Sequence, residues 1–262
     1  MPVGVELRTL AWLGVVMIAT GVGIVIYKHL DQIGPLAIAI ALGALAAACY
    51  IWVALKSRAP LDDYVILLGA LLISADAGFI ESQFHLLGND WQRYFLLLAI
   101  VHAAAAYWFD SRSVLSLSIV SLAAWLGVEQ RSLFNTDLQF AARAFVCVAV
   151  LLVWRFLNRW AEFAPLFDQF AINIAFWGAL VLTANSDTKL IGLLVTLIIA
   201  AASVRWGFRQ RRELFLMYAF VYTIIAINIA VGEVLIVMLS AILGIVGLFL
   251  IHARFQKRLA NA

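Results

Sequence analysis

The sequence contains little charge, little cysteine and little proline. Only 13% of its 262 residues are charged, 65% are hydrophobic, and there are 2 cysteines and 4 prolines. A soluble domain has about 25% charged and about 45–50% apolar residues. This composition, with a mean hydropathy of +1.02, therefore excludes an ordinary soluble protein and predicts a membrane protein. Cys49 and Cys147 lie inside apolar runs, where we expect them to pack as small apolar side chains.

The sequence also lacks the motifs of common enzyme and metal-site families. It contains no glycine-rich phosphate loop, no Gly-x-Ser-x-Gly, no His-Glu-x-x-His and no Cys-x-x-Cys. These patterns carry nucleotide binding, acyl transfer, zinc-dependent hydrolysis and metal or redox chemistry. We therefore expect no cofactor, no bound metal and no enzymatic activity.

The basic character of the chain has a cause other than nucleic acid. The formal net charge is +3 and the pI is near 9.0, but the basic residues are spread over the short segments between apolar runs. Because they form no single patch, we expect no nucleic-acid partner. The N-terminus carries Glu6 and lacks a small-residue cleavage site, so the first apolar run is predicted to be a retained helix rather than a signal peptide.

Ten apolar runs approach the length of a bilayer. A spanning helix needs roughly 20 mainly apolar residues, and continuous rather than alternating runs favour helices over the strands of a membrane barrel. The connecting segments are too short for a second domain. We predict an all-α, polytopic transmembrane helical bundle of about ten helices, forming one domain over residues 1–262. The approximate spans are Leu10–Tyr27, Pro35–Leu55, Tyr64–Ser82, Gln92–Phe109, Ser113–Val128, Leu138–Leu157, Leu166–Ala184, Leu190–Trp206, Leu214–Val231 and Val234–Ile251.

The lysines and arginines near the ends of these runs predict an orientation. An excess of positive residues marks the cytoplasmic side, and an even number of helices then places both termini in the cytoplasm. One set of ends holds Arg8, Lys56, Arg58, Arg112, Arg155, Arg159, Arg205, Arg209, Arg211, Arg212, Arg254, Lys257 and Arg258. The other set holds Lys28, Arg93, Arg131 and Lys189.

The strongest basic run lies between the eighth and ninth predicted spans. It consists of Arg205, Arg209, Arg211 and Arg212. We expect the lipid bilayer to be the main partner of the chain and these arginines to contact anionic lipid headgroups. Binding of another membrane protein subunit at this place is the weaker alternative.

Several polar side chains are expected to have structural roles. Asp62 and Asp63 favour a helix N-terminus before the third run, and Asp168 does so for the seventh. Asn173, in mid-run, is expected to bridge two helices. The short fifth run carries Ser113, Ser116, Ser118 and Ser121. Such small residues permit close helix packing, and the polar lining of a cavity is the alternative.

A group of short motifs in the first half of the chain resembles a known family. They are Gln83-Phe84-His85, Gly88-Asn89-Asp90-Trp91, Ser111-Arg112-Ser113 and the upstream Tyr27-Lys28-His29-Leu30-Asp31. Together they are similar to an uncharacterised family of bacterial integral-membrane proteins catalogued as a domain of unknown function. The resemblance implies a multi-pass protein of the bacterial inner membrane and implies no substrate. Phe84 stands where the family has tyrosine, so no role of that hydroxyl carries over.

Two oppositely charged residues lie inside apolar runs at matched depth. Asp76 precedes the end of the third run by about seven residues, and Arg143 follows the start of the sixth by about six. Both would lie roughly 9–10 Å below the outer surface. Charged residues at such depth face the bundle interior and find partners, so we predict an ion pair. Either the pair fixes helix packing, or it acts as a gate or an ion-coupling site.

His102 lies near the middle of the fourth run. Histidine changes charge near neutral pH, so a proton relay at His102 is one interpretation. A neutral histidine that is hydrogen-bonded to a neighbouring helix is the other.

Glu81, His85 and Asp90 are predicted to form an outer rim. Glu81 and His85 share a face if the third helix continues through both, since they are four residues apart. That spacing suits two metal ligands, but a solvated rim is the expected role because no further ligand motif accompanies them.

Three function classes remain at this stage. The first is a small-solute or proton-linked transporter-like protein with its site between Asp76, His102 and Arg143. The second is a non-catalytic scaffold or accessory subunit of a larger membrane complex, which the scarcity of interior polar residues favours. The third, an intramembrane enzyme, is the least supported.

Overall fold

The computed structural model describes most of the middle of the chain. The described residues are 10, 13–18, 20–21, 23–24, 34–55, 62–86, 88, 92–128, 138–231 and 247. The motif Tyr27–Asp31, Asp90, both chain ends and all but Gly247 of the predicted tenth span lie outside them. The predicted orientation of the termini and the role of Asp90 are therefore predictions about residues that the structure does not describe.

The described residues form helices joined by turns, with no strand among them. Residues 13–18 are helical, and eight longer helices follow. They are α1 (Pro35–Leu55), α2 (Asp62–Phe84), α3 (Arg93–Phe109), α4 (Arg112–Trp125), α5 (Leu138–Leu157), α6 (Ala164–Ala184), α7 (Lys189–Gln210) and α8 (Glu213–Val231). The all-α prediction is confirmed for these residues, and each of the eight helices coincides with one predicted span.

Six of these helices are long and apolar enough to cross a membrane: α1, α2, α5, α6, α7 and α8. The other two are shorter apolar helices, with 17 residues in α3 and 14 in α4. The fifth predicted span, Ser113–Val128, thus corresponds to a helix that ends at Trp125. At about 1.5 Å per residue, α4 is about 21 Å long and falls short of a bilayer's hydrocarbon thickness of about 30 Å.

The chain divides into two compact units, Met1–Trp125 and Leu126–Ala262. The prediction of one domain over residues 1–262 concerns how these units associate and stays a prediction.

In the first unit, α2 packs against α1, α3 and α4, and α3 packs along α4. The core between α1 and α2 is formed by Ile38, Leu42, Ala46 and Leu72. At the turn between α3 and α4, Asp110 adopts a left-handed conformation with φ 51°, and its N–H donates to the carbonyl of Ala106. This turn reverses the chain within two residues, so α4 lies directly beside α3.

In the second unit, α6 lies between its neighbours and packs against α5, α7 and α8. Phe176, Ala200 and Ala219 form one core cluster of α6, α7 and α8, and Phe176 stacks on Tyr222 with ring centroids 4.6 Å apart. Gly247, the one described residue of the predicted tenth span, contacts Phe220 of α8.

Candidate functional site

The first unit contains a buried histidine. His102 of α3 is 0% exposed, and its Nε2 lies 2.8 Å from the hydroxyl oxygen of Ser74 on α2. That hydroxyl also lies 3.1 Å from the carbonyl oxygen of Ala70, to which it donates. Nδ1 of His102 is buried and has no hydrogen-bond partner among the described residues. The expected hydrogen bond to a neighbouring helix is present, and one ring nitrogen is left over.

Asp76 lies on α2, like Ser74, but on another side of that helix. Its Oδ2 approaches Gly43 of α1, where an added Cβ would lie 3.4 Å from that oxygen. Its Oδ1 is buried and lacks a hydrogen-bond partner within the described part of the chain. Asp76 follows Ser74 by two residues, which is roughly 200° around a helix with 3.6 residues per turn. The Asp76 carboxylate and the Ser74–His102 pair therefore face different neighbours of α2.

Arg143, the predicted partner of Asp76, lies in the second unit near the start of α5. Its side chain is exposed and passes over Gly127, where an added Cβ would lie 2.8 Å from Nη1. Gly127 has φ +76°, which favours glycine, and a side chain there would have to displace the guanidinium of Arg143. Arg143 thus packs on the segment between α4 and α5. The ion pair with Asp76 stays a prediction.

The predicted outer rim is only partly described. Glu81 is half-buried in the last turn of α2, and His85 is exposed with φ 48°. A shared Glu81–His85 face requires a helix that continues through both residues. The helix ends at Phe84, so this condition is not met. The physical reason is the left-handed backbone at His85, which turns the chain out of the helix.

The described residues contain no group of three or more His, Cys, Asp or Glu side chains that could hold a metal ion. A cavity of about 230 Å³ at the start of α2 is nevertheless rich in charge. Its lining residues are Val53, Asp62, Asp63, Ile66, Phe109, Asp110 and Arg112. Ser111 and Ser113 each donate to one oxygen of Asp63, the latter at 2.8 Å. The acidic residues predicted at this helix N-terminus are present there, and Asp63 also ties the start of α2 to the start of α4.

The second unit contains an ion pair that the sequence analysis did not predict. Arg155 in the last turn of α5 pairs with Asp168 of α6, with Nη2 3.2 Å from Oδ2 and with Nε on the second oxygen. The guanidinium also lies over the ring of Trp206 on α7, 5.4 Å from its centroid. Asp168 is 5% exposed. The expected role of Asp168 at the helix N-terminus is thus replaced by a contact with a neighbouring helix.

This ion pair closes one end of a cavity of about 350 Å³ between α5, α6 and α7. Apart from Arg155, Asp168, Ser203 and Trp206, the lining is apolar: Val148, Leu152, Ala171, Ile172, Ala175, Ile198, Ile199 and Ala202. The signal in the sequence was the presence of Arg155 and Asp168 on either side of one short connection. Such a hairpin brings the end of one helix beside the start of the next.

A second polar connection crosses from α6 to α8. The Trp177 Nε1–H donates to the Tyr222 hydroxyl at 2.7 Å, and that hydroxyl donates to Oδ1 of Asn173 at 2.9 Å. The predicted bridging role of Asn173 is confirmed. Next to it is a groove of about 570 Å³, lined by Trp177, Leu180, Leu214, Met217, Tyr218, Val221, Tyr222 and Ile225.

The serines of the short fifth predicted span include one that fulfils the close-packing role. Ser118 is buried in α4 and donates to the carbonyl of Ala99 on α3 at 2.6 Å.

Of the four arginines expected to meet lipid, Arg205, Arg209 and Arg211 are exposed and Arg212 is half-buried.

The first part of the chain matches a known protein family. Residues 3–115 match the model of the family DUF2157, described as a predicted membrane protein. The predicted resemblance to an uncharacterised membrane-protein family is confirmed over this range, which includes the Tyr27–Asp31 loop and the motifs around Gln83 and Ser111. No curated protein and no solved structure matches the chain.

Proposed function

We propose that this chain is a multi-pass protein of a bacterial inner membrane, with both termini in the cytoplasm, that carries protons or a small solute coupled to protons. Six helices of suitable length and the family description support the membrane location. The excess of lysine and arginine at one set of helix ends supports the orientation.

The observation that carries the transport proposal is the free Nδ1 of His102. One hydroxyl proton cannot serve two acceptors, so when Ser74 donates to Ala70 the Nε2 of His102 must carry the hydrogen. Nδ1 then holds a lone pair with no donor among the described residues. A buried polar group without a partner is costly, and such groups inside membrane helices mark ion and proton pathways. We assign Nδ1 of His102 as a proton acceptor.

Asp76 supplies a second proton-binding group, on α2. Its Oδ1 is also buried without a partner in the described residues, and Gly43 leaves space for the carboxylate against α1. Together with Nδ1 of His102 on α3, this carboxylate gives the two proton-binding groups that a relay needs.

Proton flux into vesicles tests this proposal. The full chain is reconstituted into liposomes that contain a pH-sensitive dye, and a pH gradient is imposed. We expect faster proton entry than in empty liposomes, and loss of that excess in Asp76→Asn and in His102→Gln. The matched control is Asp187→Asn, in an exposed turn, which should retain the flux. Flux equal to that of empty liposomes, or flux unchanged by Asp76→Asn, would overturn the proposal.

A second candidate, an accessory subunit of a membrane complex, is favoured by a different observation. Neither Asp76 nor His102 lines any of the three cavities described above, whereas a transporter requires a water-accessible path to its coupling residues. An accessory subunit should co-purify with a stoichiometric partner chain after extraction in mild detergent. Recovery of a partner together with an inactive reconstituted chain would favour this candidate.

We propose no enzymatic role for the chain. The cavity at the start of α2 does gather four charged residues, but both oxygens of Asp63 accept serine hydroxyls. The other three, Asp62, Asp110 and Arg112, also have interactions of their own.

We further propose that Arg205, Arg209, Arg211 and Arg212 contact anionic lipid headgroups, since three of them are exposed where α7 ends.

A further inference from the structure

We propose that the cavity between α5, α6 and α7 is a specific binding site for an anionic amphiphile, with the head beside Arg155 and a linear alkyl chain along the helices. This site lies in the second unit and does not depend on the proton chemistry proposed for the first. It also differs from general attraction to the exposed arginines, because it includes an apolar groove between three helices.

The lining residues make the cavity polar at one end and apolar at the other. Val148 precedes Arg155 by seven residues on α5, Ala175 follows Asp168 by seven on α6, and Ile199 precedes Trp206 by seven on α7. Seven residues correspond to about 10 Å of helix. Three helices thus place their polar residues at one level and their apolar residues together about 10 Å away, which is the polarity of a lipid with its head at an interface.

The floor and rim of the cavity suit a linear chain. Small residues of α6, Ala171 and Ala175, lie between the larger side chains of α5 and α7. Leu152 and Ile198 at the rim are 48% and 68% exposed. The alkyl chain of a ligand can therefore enter the cavity from the side, between α5 and α7. The volume of about 350 Å³ lies within the range of about 300–1,000 Å³ that is usual for ligand sites.

The charge at the polar end favours an anion. Arg155 pairs with Asp168 through Nε and Nη2, so within the described residues the two N–H groups of Nη1 are available to an acceptor oxygen. Arg212 is close enough for its charge to act on Asp168. The segments 155–168 and 203–213 together carry six arginines against Glu162, Asp168 and Glu213. The excess positive charge selects a phosphate or carboxylate head over a zwitterionic one.

Native mass spectrometry of the full chain in detergent tests the site. The probes are phosphatidylglycerol and phosphatidylcholine with the same acyl chains, and oleate in a separate arm. We expect phosphatidylglycerol or oleate to bind with a defined stoichiometry and about tenfold more tightly than phosphatidylcholine, as one charge-assisted hydrogen bond would give. Tighter binding of phosphatidylglycerol identifies a bilayer lipid as the ligand, and tighter binding of oleate a free fatty acid.

A groove-filling variant separates the site from surface attraction. Ala202 lines the cavity and is exposed, so Ala202→Trp should fill the apolar part while leaving every arginine in place. The matched control is Ala201→Trp, the exposed neighbour outside the lining. A second pair, Ile198→Trp with Leu197→Trp as control, uses two other exposed positions of α7.

We expect at least about a tenfold loss of anionic amphiphile binding in Ala202→Trp and Ile198→Trp and none in their controls, with unchanged thermal melting. Equal binding of phosphatidylcholine, or binding that survives both groove-filling substitutions in folded protein, would overturn the proposal.

Discussion

Arg155 and Asp168 form an ion pair between the end of α5 and the start of α6, with Nη2 of the arginine 3.2 Å from Oδ2 of the aspartate. Asp168 is 5% exposed and Arg155 is 27% exposed. Two charges this close to apolar surroundings depend on each other, because removal of one leaves the other uncompensated.

Removal of one partner should therefore cost more than removal of both. We expect Arg155→Met to lower the free energy of unfolding by about 3–5 kcal/mol, the usual cost of stranding a buried charge. The double variant Arg155→Met with Asp168→Leu should regain most of this loss, because no charge is left unpaired. Thermal melting of the purified chain in detergent measures both, and a double variant less stable than Arg155→Met would contradict the dependence.

The Tyr222 hydroxyl joins Trp177 to Asn173. Tyr222→Phe removes this hydroxyl but leaves the ring that stacks on Phe176, so the donor of Trp177 and the acceptor of Asn173 both lose their partner. We expect a destabilisation of about 1–3 kcal/mol, measured by thermal melting. Tyr218→Phe, one turn away on α8, is the matched control and should be close to neutral, so equal effects at both positions would count against the connection.

Gly192 of α7 allows a close approach to the end of α6. An added Cβ would collide with the backbone N of Thr183 and lie 2.5 Å from the carbonyl carbon of Leu182. Backbone atoms cannot move aside as side chains do, so Gly192→Ala should destabilise the chain by about 1–3 kcal/mol. Gly78→Ala, where nothing lies within 4 Å, is the control. An unchanged melting temperature for Gly192→Ala would disprove this contact.

Asp76 and Asp168 should differ in their reactivity toward a hydrophobic carbodiimide, which modifies protonated carboxyl groups. Asp76 Oδ1 has no hydrogen-bond partner in the described residues, whereas both carboxylate oxygens of Asp168 contact the guanidinium of Arg155. We expect modification of Asp76 to increase as the pH falls and to exceed that of Asp168 at every pH. Peptide mass spectrometry locates the modified residue, and preferential labelling of Asp168 would reverse the assignment.

The helices were accessible to sequence reasoning because their bounds depend on local properties. Pro35–Leu55 and Leu138–Leu157 have the predicted limits. Polar turn residues at both ends of a long apolar run indicate where the helix begins and where it ends. The end of α2 was less predictable. The predicted span ends at Ser82 and leaves open whether the helix continues through His85, and the left-handed backbone at His85 shows that it ends at Phe84.

The contacts between helices were less accessible. Matched depth along two helices led to the prediction of an Asp76–Arg143 pair, but depth alone says nothing about rotation around each helix axis. The same limit explains why Arg155 and Asp168 were not predicted as partners, although both lie where two consecutive helices meet.

The sequence by itself determined the all-α class and the approximate bounds of the eight helices from α1 to α8, and it predicts the side on which positive charge collects. These properties follow from hydropathy and charge along the chain, and they need no knowledge of which helix lies beside which. Only the tertiary structure decided that His102 faces Ser74, that Asp76 faces Gly43 and that Arg155 closes a cavity with Asp168. Side-chain partners depend on the rotation and spacing of packed helices, which are set by the fit of many side chains at once.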